Sequence, residues 1–156
     1  ITGAGLCADC ISFRVENGEL IMTRPARGGN VTADIVARSE MKFATVKTAR
    51  AGENDVIFSV GKGCVNNIKE IKSLAMRYGA ELCCSRAVAD SGKMPYSTQV
   101  GLTGKTVSPK IYVAFGISGA VQHTCAITGA DAVIAVNSDK NARIFDYADY
   151  GIIAEV

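Results

Sequence analysis

After residue 55, short apolar runs alternate with helical patterns, and this alternation limits the possible folds of the chain more than any other feature. Runs rich in β-branched residues occur at Val56–Val60, Ile111–Phe115 and Ala132–Asn137, and a further strand-like piece occupies 81–85. Continuous apolar runs of this length are typical of strands that are buried on both faces. The alternation therefore predicts an α/β fold with a doubly wound, mainly parallel sheet.

The clearest helical pattern follows the first of these runs. Its apolar positions recur every three or four residues and form one stripe, made of Val65, Ile68, Ile71, Leu74 or Ala75, and Tyr78. Gly79 stands where a glycine commonly ends a helix. Weaker patterns predict a helical turn at 86–91, a helix at 120–127 and a fifth strand at 144–145.

The first 50 residues have a different character. Asn17-Gly18 lies between two short alternating runs, which is a strong hairpin signal. Further strand-like pieces follow at 31–37 and 41–46, with a turn expected at 28–30. They form either a small antiparallel unit or the last strands of an incomplete N-terminal domain. We favour the second, because such short strands bury little core alone; domains are expected at 1–50 and 51–156, the latter truncated at its C-terminus.

Composition excludes several classes of protein. The net charge is +2, which gives no electrostatic reason to expect a nucleic-acid partner. No run of 18 apolar residues occurs, so membrane insertion is not expected. Of six cysteines, only Cys7 and Cys10 have ligand-like spacing. Because a zinc or iron–sulfur site needs about four ligands, buried thiols are favoured over a redox or metal role, and no metal is predicted.

Polar loops follow several of the predicted strands, at Gly61-Lys62-Gly63, Ser85-Arg86, 116–119 and 137–139. In a parallel sheet these loops converge at the carboxyl edge, where ligands bind. The small residues at 116–119 precede a predicted helix, and free backbone N–H groups there favour phosphate. Neither the full dinucleotide fingerprint nor a complete P-loop is present.

For the single residues in these loops, two readings stay open. Arg86 is either an ordinary surface arginine or a cation facing a phosphate or an electron-rich ring. Thr103 and Asn137 either bind a ligand or only form hydrogen bonds within their own turns. His123 either binds a ligand or has a purely structural role.

Several motifs together resemble the α subunit of electron transfer flavoproteins. They are SRA at 85–87, GLTGK at 101–105, PKIY at 109–112, GISGAVQH at 116–123 and ADYG at 148–151. Their order and spacing resemble the FAD domain of that subunit over residues 50–156. Upstream, GLCADC at 5–10 and TRPARGGN at 23–30 resemble the final strands of its N-terminal domain. The resemblance implies FAD as cofactor and a deoxyhypusine-synthase-like NAD/FAD-binding fold.

The resemblance also implies roles for individual residues. Arg86 would lie over the flavin, Thr103 would hydrogen-bond to flavin N5, and His123 would lie at the O2 edge. The full cofactor-binding set that it implies is Lys62, Ser85, Arg86, Val100, Gly101, Leu102, Thr103, Ser118, Gly119, Ala120, Val121, Gln122, His123, Asn137, Glu155 and Val156. Within this set, Ser85 and 118–123 would hold the pyrophosphate and ribityl groups, Val100 and Gly101 would line the isoalloxazine, and Asn137, Glu155 and Val156 would lie near the adenosine.

Two positions depart from the family pattern. Leu102 replaces a glutamine, which removes a polar contact near the flavin, and Lys62 replaces an arginine. A lysine meets a phosphate as a point charge rather than through two parallel hydrogen bonds. Both changes are expected to alter flavin affinity or potential.

The function implied by the resemblance is electron transport. FAD would accept electrons from acyl-CoA dehydrogenases or related flavoenzymes, as in fatty acid oxidation, and pass them to a quinone oxidoreductase or another acceptor. The subunit would form a heterodimer with a β subunit, in the bacterial cytoplasm or the mitochondrial matrix, without substrate bond chemistry by protein side chains. The alternatives are an NADH-linked electron-bifurcating flavoprotein subunit, an NAD-dependent enzyme on the related fold, and a domain that has lost its cofactor.

Overall fold

The computed structural model describes residues 4–26, 31–46 and 55–155. The chain divides into two compact units, Ile1–Thr48 and Ala49–Val156, which we call unit 1 and unit 2. Among the described residues, none of the helices combines the length and apolar character needed to cross a bilayer.

Unit 1 consists of two small sheets. Strands β2 (Ser12–Glu16), β3 (Glu19–Ala26) and β4 (Val31–Val36) form an antiparallel sheet in that order. Strand β1 (Gly5–Cys10) pairs in parallel with β5 (Lys42–Val46). The predicted hairpin is confirmed: β2 and β3 pair in antiparallel register, and Asn17 and Gly18 have φ angles of 52° and 80°. The turn expected at 28–30 lies outside the described residues.

The buried part of unit 1 is small. Met22 is fully buried, and Cys7 and Cys10 pack with it, together with the half-buried Leu20 and Ala37. The Cys10 thiol donates a hydrogen bond to the Cys7 carbonyl oxygen, with sulfur and oxygen 3.5 Å apart. Burial is the main reason that the pKa of Cys10 is raised.

Unit 2 is built on one parallel sheet of five strands. These are β6 (Val56–Val60), β7 (Glu81–Cys84), β8 (Ile111–Phe115), β9 (Ala132–Asn137) and β10 (Tyr150–Ile153). Their order across the sheet is β7-β6-β8-β9-β10, and every neighbouring pair is parallel. The predicted doubly wound α/β sheet is confirmed. The order reverses between β6 and β8, so the crevice for a ligand is expected there.

Helices connect the strands of unit 2. A 3₁₀ segment (Lys62–Asn67) leads into α1 (Ile68–Tyr78), and α2 (Arg86–Asp90) and α3 (Val121–Thr124) follow β7 and β8. Shorter 3₁₀ segments occupy Tyr96–Thr98 and Arg143–Asp146. Gly79 ends α1 with a φ of 62°, as predicted.

Three sequence-based details are wrong. In the α1 stripe, Ile71 and Ala75 are buried but Leu74 and Tyr78 are exposed, because a narrower face than expected meets the sheet. The third helix stops at Thr124 instead of 127. Residues 144–145 are not a strand: Ile144 is buried, and its backbone N–H donates to the Ser118 carbonyl oxygen across the loop (3.2 Å). The fifth strand is β10.

Both faces of the sheet are covered from β6 to β9, whereas the edge strand β10 is exposed. One face buries Ile57, Tyr112, Ala114 and Ala135 with Ile144 from the later loop. The other buries Phe58, Val60, Val113 and Phe115 with Ile71 of α1. The sheet is therefore a rigid platform whose carboxyl edge carries the loops.

Candidate functional site

The carboxyl ends of β6 and β8 meet closely at the point where the strand order reverses. The Gly61 N–H donates to the Phe115 carbonyl oxygen (2.7 Å), and the Gly63 N–H donates to the Gly116 carbonyl oxygen (3.1 Å). A Cβ on Gly61 would lie 2.2 Å from the Gly116 oxygen. The first glycine loop is therefore needed to join the two strand ends.

A cleft of about 900 Å³ opens directly above this junction. This volume is at the upper end of the range of small-molecule sites, roughly 300–1,000 Å³. The residues that line it are Lys62, Gly63, Ser85, Arg86, Ala87, Gln99, Val100, Gly101, Leu102, Thr103, Gly116, Ile117, Ser118, Ala120, Gln122, His123, Asn137, Asp139, Asn141, Ala142 and Arg143. All come from the ends of strands β6 to β9 and the loops that follow them.

Most of the residues predicted as cofactor-binding lie together on this cleft. They are Lys62, Ser85, Arg86, Val100, Gly101, Leu102, Thr103, Ser118, Ala120, Gln122, His123 and Asn137. Gly119 and Val121 belong to the same loop but do not line the cleft. Glu155 is exposed beyond β10 and is not part of the lining, and Val156 lies outside the described residues.

Gly119 instead fixes the loop from behind. Its φ is +86°, and a Cβ there would lie 2.1 Å from the Ile144 nitrogen. Only a glycine allows the 116–120 loop to approach the 143–146 segment this closely.

Cations stand on several sides of the cleft, contributed by Lys62, Arg86 and Arg143. The Arg86 side chain is 66% exposed, and its Nε lies 3.4 Å from Asp90 Oδ2, one helical turn later. The other carboxylate oxygen of Asp90 accepts a hydrogen bond from the Tyr96 hydroxyl (2.9 Å). Asp90 thus holds the guanidinium at the rim of the cleft.

The loop 116–122 offers backbone donors. Within the described residues, no N–H from 117 to 122 donates a recorded hydrogen bond. Asn137 keeps this loop in place: its Nδ2 donates to the Ile117 carbonyl oxygen (2.9 Å), and its Oδ1 accepts from the Asp139 N–H (3.0 Å). A run of unpaired N–H groups beside cations is suited to an anionic ligand.

Thr103 is held by a residue that the sequence-based site did not include. The buried Gln99 donates from Nε2 to Thr103 Oγ1 (2.9 Å). Since the threonine oxygen accepts this bond, its own proton remains to be donated into the cleft. Gln99 has no motif-like spacing of its own.

His123 is buried at the inner wall of the cleft, with 6% of its surface exposed. Its Nε2 lies 2.9 Å from the hydroxyl of Tyr112 on β8, and its Nδ1 has no hydrogen-bond partner among the described residues. Burial lowers the pKa of His123 to about 4. The Val100 backbone opposes this shift only in part. The imidazole is therefore neutral at pH 7.

Lys105 and the cysteines lie outside the cleft lining. Lys105 pairs with Glu81 beside Cys83, and burial raises the pKa of the Cys83 thiol to about 12. A phosphate-binding role for Lys105 is therefore not supported by its position. In the described part of the chain, no three His, Cys, Asp or Glu side chains cluster as metal ligands would.

Comparison with known proteins agrees with this geometry. The sequence profile described as the electron transfer flavoprotein FAD-binding domain matches residues 51–128. A second profile, the electron transfer flavoprotein domain, matches residues 1–73. The chain belongs to the electron transfer flavoprotein α-subunit family.

Named relatives give the same result. The electron transfer flavoprotein subunit alpha of Methylophilus methylotrophus is 48% identical over 65% of this chain and 33% of its own length. The protein FixB of Rhizobium meliloti (strain 1021) is 31% identical over 97% of this chain and 56% of its own length. The acryloyl-CoA reductase electron transfer subunit beta of Anaerotignum propionicum is 33% identical over 99% and 56%. The chain spans about half the length of the longer matches among these curated relatives.

Proposed function

We propose that this chain holds FAD in the cleft of unit 2 and serves as the flavin-binding part of an electron-carrying flavoprotein. The observation that carries the proposal is one cleft, at the strand-order reversal, that combines three kinds of group. These are cations at the rim, unpaired N–H groups on the 116–122 loop, and a buried neutral imidazole. A dinucleotide offers matching partners, since its bridge is anionic and its ring is polar.

The chemistry of the residues fits this cofactor. In the proposal, Ser85, Ser118 and the N–H groups of 117–122 hold the pyrophosphate, with Lys62 as a nearby charge. Val100 and Gly101 are buried and supply an apolar wall for the ring. Leu102 is 53% exposed on the cleft, where it adds alkyl surface in place of the amide that is usual in the family. Asn137 already uses one donor and one acceptor to hold its own loops, so its role toward the adenosine would be secondary.

Around the ring, three residues have complementary tasks. Bound FAD supplies the capacity to take up and release electrons. Arg86 places positive charge near it, Thr103 offers a hydroxyl proton that Gln99 leaves free, and His123 offers a ring nitrogen. Preorganised donors of this kind stabilise negative charge in the ligand without moving, which raises its potential. We propose an electron carrier rather than a catalyst of substrate bond chemistry.

Membership of the family supports a proposal about partners. We propose that the full protein pairs with an electron transfer flavoprotein β subunit, accepts electrons from an acyl-CoA dehydrogenase or a related flavoenzyme, and passes them to a quinone oxidoreductase or another acceptor. The relative described as an acryloyl-CoA reductase subunit supports a link to acyl-CoA chemistry. Mixing the reduced flavoprotein with each class of partner and following flavin absorbance tests these pairings.

Flavin binding is tested with one arginine substitution and a matched control. Arg86→Ala should weaken FAD binding roughly tenfold, the effect of losing one charge-assisted contact, and should lower the flavin potential. Arg77→Ala removes the same charge from α1, where the guanidinium lies over the Tyr78 ring, 6.0 Å from its centre, away from the cleft lining. That control should leave both values unchanged.

The measurements are FAD titration by fluorescence quenching and redox titration of the loaded protein. A chain that is colourless when purified and cannot be reconstituted with FAD, alone or with a β subunit, would contradict the proposal.

A further inference from the structure

The hydrogen bond between Tyr112 and His123 has no part in the binding roles given above. We propose that Tyr112 is a positioning residue that fixes the tautomer of His123, so that Nδ1 carries the proton. The inference rests on the proposed function only for its prediction about FAD binding.

The first support is the contact itself. Tyr112 is fully buried at the second position of β8, and its hydroxyl oxygen lies 2.9 Å from His123 Nε2. The two rings are 6.2 Å apart between centroids and inclined at 59°, so they do not stack. The hydroxyl therefore contacts the edge of the imidazole at Nε2, and this hydrogen bond fixes the orientation of the ring.

The second support is a buried serine hydroxyl beside Tyr112, which limits the direction of the hydrogen bonds. Ser59 on β6 lies two residues beyond Ile57, which is opposite Tyr112 in the register, and so shares its face of the sheet. Ser59 Oγ is buried without a hydrogen bond of standard geometry in the described residues, yet it is close enough to the phenol to oppose the rise in pKa that burial causes.

One orientation gives both hydroxyl protons an acceptor. If the Tyr112 oxygen accepted from both Ser59 and His123, its own O–H would be buried with nothing to receive it, which is costly. If Ser59 donates to Tyr112 and Tyr112 donates to Nε2, both hydroxyl protons have an acceptor, whereas the reversed series leaves the Ser59 proton without one among the described residues. The last proton in the series is then on His123 Nδ1, which is buried without a hydrogen bond of standard geometry in the described residues. The Val100 backbone lies close enough to the imidazole to oppose the fall in pKa that burial causes.

The charge states agree with this orientation. Burial raises the pKa of Tyr112 well above its ordinary value, so the phenol keeps its proton. Burial also keeps His123 neutral at pH 7. A neutral imidazole has one donor and one acceptor, and the tyrosine decides which nitrogen is which.

The sequence makes a direct measurement possible, because His123 is the only histidine among the 156 residues. In the chain labelled with ¹⁵N-histidine at pH 7, long-range ¹H–¹⁵N spectra report which ring nitrogen is protonated. We expect a protonated Nδ1 and an unprotonated Nε2 before FAD is added. Tyr112→Phe should convert this single tautomer into a mixture, and should weaken FAD binding by about tenfold, the effect of one misplaced hydrogen bond.

Tyr147→Phe is the matched control. It removes a tyrosine hydroxyl that donates to the Ile127 carbonyl oxygen (2.7 Å) elsewhere in unit 2, and the His123 signals should not change. An Nε2-protonated ring in the unsubstituted chain overturns the inference, even if Tyr112→Phe fails to fold. A tautomer that is the same in a folded Tyr112→Phe variant overturns it as well.

The two proposals fail in different ways. If the chain shows the Nδ1 tautomer and its dependence on Tyr112 but does not bind FAD, the positioning role is supported and the flavin function is wrong. If the chain binds FAD while the tautomer is independent of Tyr112, the flavin function is supported and the positioning role is wrong.

Discussion

The two units use strands of similar length but differ in how the strands are covered. In unit 2 both faces of the sheet are buried from β6 to β9, where the strands are mostly apolar, and only the edge strand β10 is exposed. In unit 1 the described strands leave large apolar side chains exposed, among them Phe13 (45%), Val15 (69%), Phe43 (51%) and Val46 (55%). A parallel pair such as β1–β5 is normally buried on both faces. Unit 1 thus has only a small hydrophobic core of its own, whereas unit 2 has an extensive one.

The difference teaches that hydrophobic content alone does not give stability. Stability depends on apolar surface removed from water, about 25 cal/mol per Å². Unit 2 should therefore unfold as a cooperative domain, whereas unit 1 should unfold at a lower denaturant concentration. Methionine methyl signals can follow both at once, because Met22 and Met41 lie in unit 1 and Met76 and Met94 lie in unit 2.

Truncating one fully buried side chain in each unit should give the largest effect and a clear contrast. Ile57→Ala in unit 2 should lower the free energy of unfolding by about 4 kcal/mol, and Met22→Ala in unit 1 by about 2 kcal/mol. Both side chains are fully buried. The sparse surroundings of Met22 can collapse into the space, whereas the packed sheet around Ile57 cannot. Urea titrations followed by the methionine methyl signals measure each value.

Phe13→Ala serves as the control for unit 1, because its side chain is already half exposed. It should change stability by less than about 0.5 kcal/mol. Equal losses for Ile57→Ala and Met22→Ala would contradict the contrast between the units.

Acid should destabilise the two units in different pH ranges. In unit 2, His123 has a folded pKa of about 4 against an ordinary 6.5. The unfolded state therefore binds a proton first, and stability present above pH 6.5 is lost as the pH falls toward 4, by up to about 3 kcal/mol. In unit 1, hydrogen bonds from Arg14 and Thr23 lower the pKa of Asp34 from 3.8 to about 2. Its contribution is present above pH 3.8 and is lost as the pH falls through 2.

Tyrosine fluorescence isolates the response of unit 2, because all five tyrosines lie there and the chain has no tryptophan. His123→Gln should remove the slope of stability against pH between 6.5 and 4, while Asp34→Asn should leave that slope in place. A slope that persists in a folded His123→Gln variant would show that another group causes it.

The contrast between buried and exposed strands also decides how much of the fold could be predicted from the sequence. The strands of unit 2 were recognisable because burial on both faces produces continuous apolar runs such as Val56–Val60. The strand predicted at 144–145 was wrong because a buried Ile144 in a 3₁₀ segment gives the same local signal as a strand. The β10 strand was missed since all of its residues are exposed and it has no apolar periodicity.

Only part of the candidate site could be predicted from the sequence. Loops at strand ends were predicted to converge, and Lys62, Arg86 and Thr103 do lie on one cleft. Gln99 and Tyr112 were not predicted, because each acts on a neighbour through one side-chain hydrogen bond that leaves no spacing pattern. Arg143 reaches the cleft from a loop whose path depends on the close approach of Gly119 to Ile144.

The smallest expected effect is a change in flavin potential when an ion pair at the cleft is broken. Breaking an ion pair elsewhere should leave the potential unchanged. Asp90 faces Arg86 (3.4 Å), and in unit 1 Asp34 faces Arg14 (2.6 Å); both pairs are well exposed. Asp90→Asn should leave the Arg86 charge less neutralised, so the flavin potential should rise by roughly 10–20 mV, since an exposed pair contributes at most about 1 kcal/mol. Asp34→Asn should not change the potential at all.

The control within unit 2 is Asp55→Asn, which breaks the exposed Asp55–Lys110 pair (2.7 Å). It makes the same change in charge at the amino end of β6, one strand length of about 17 Å from the cleft. That distance exceeds the screening length of about 8 Å at physiological salt, so the potential should stay constant. A redox titration in which Asp90→Asn and Asp55→Asn shift the potential equally would mean that Arg86 does not act on the flavin through its pairing with Asp90.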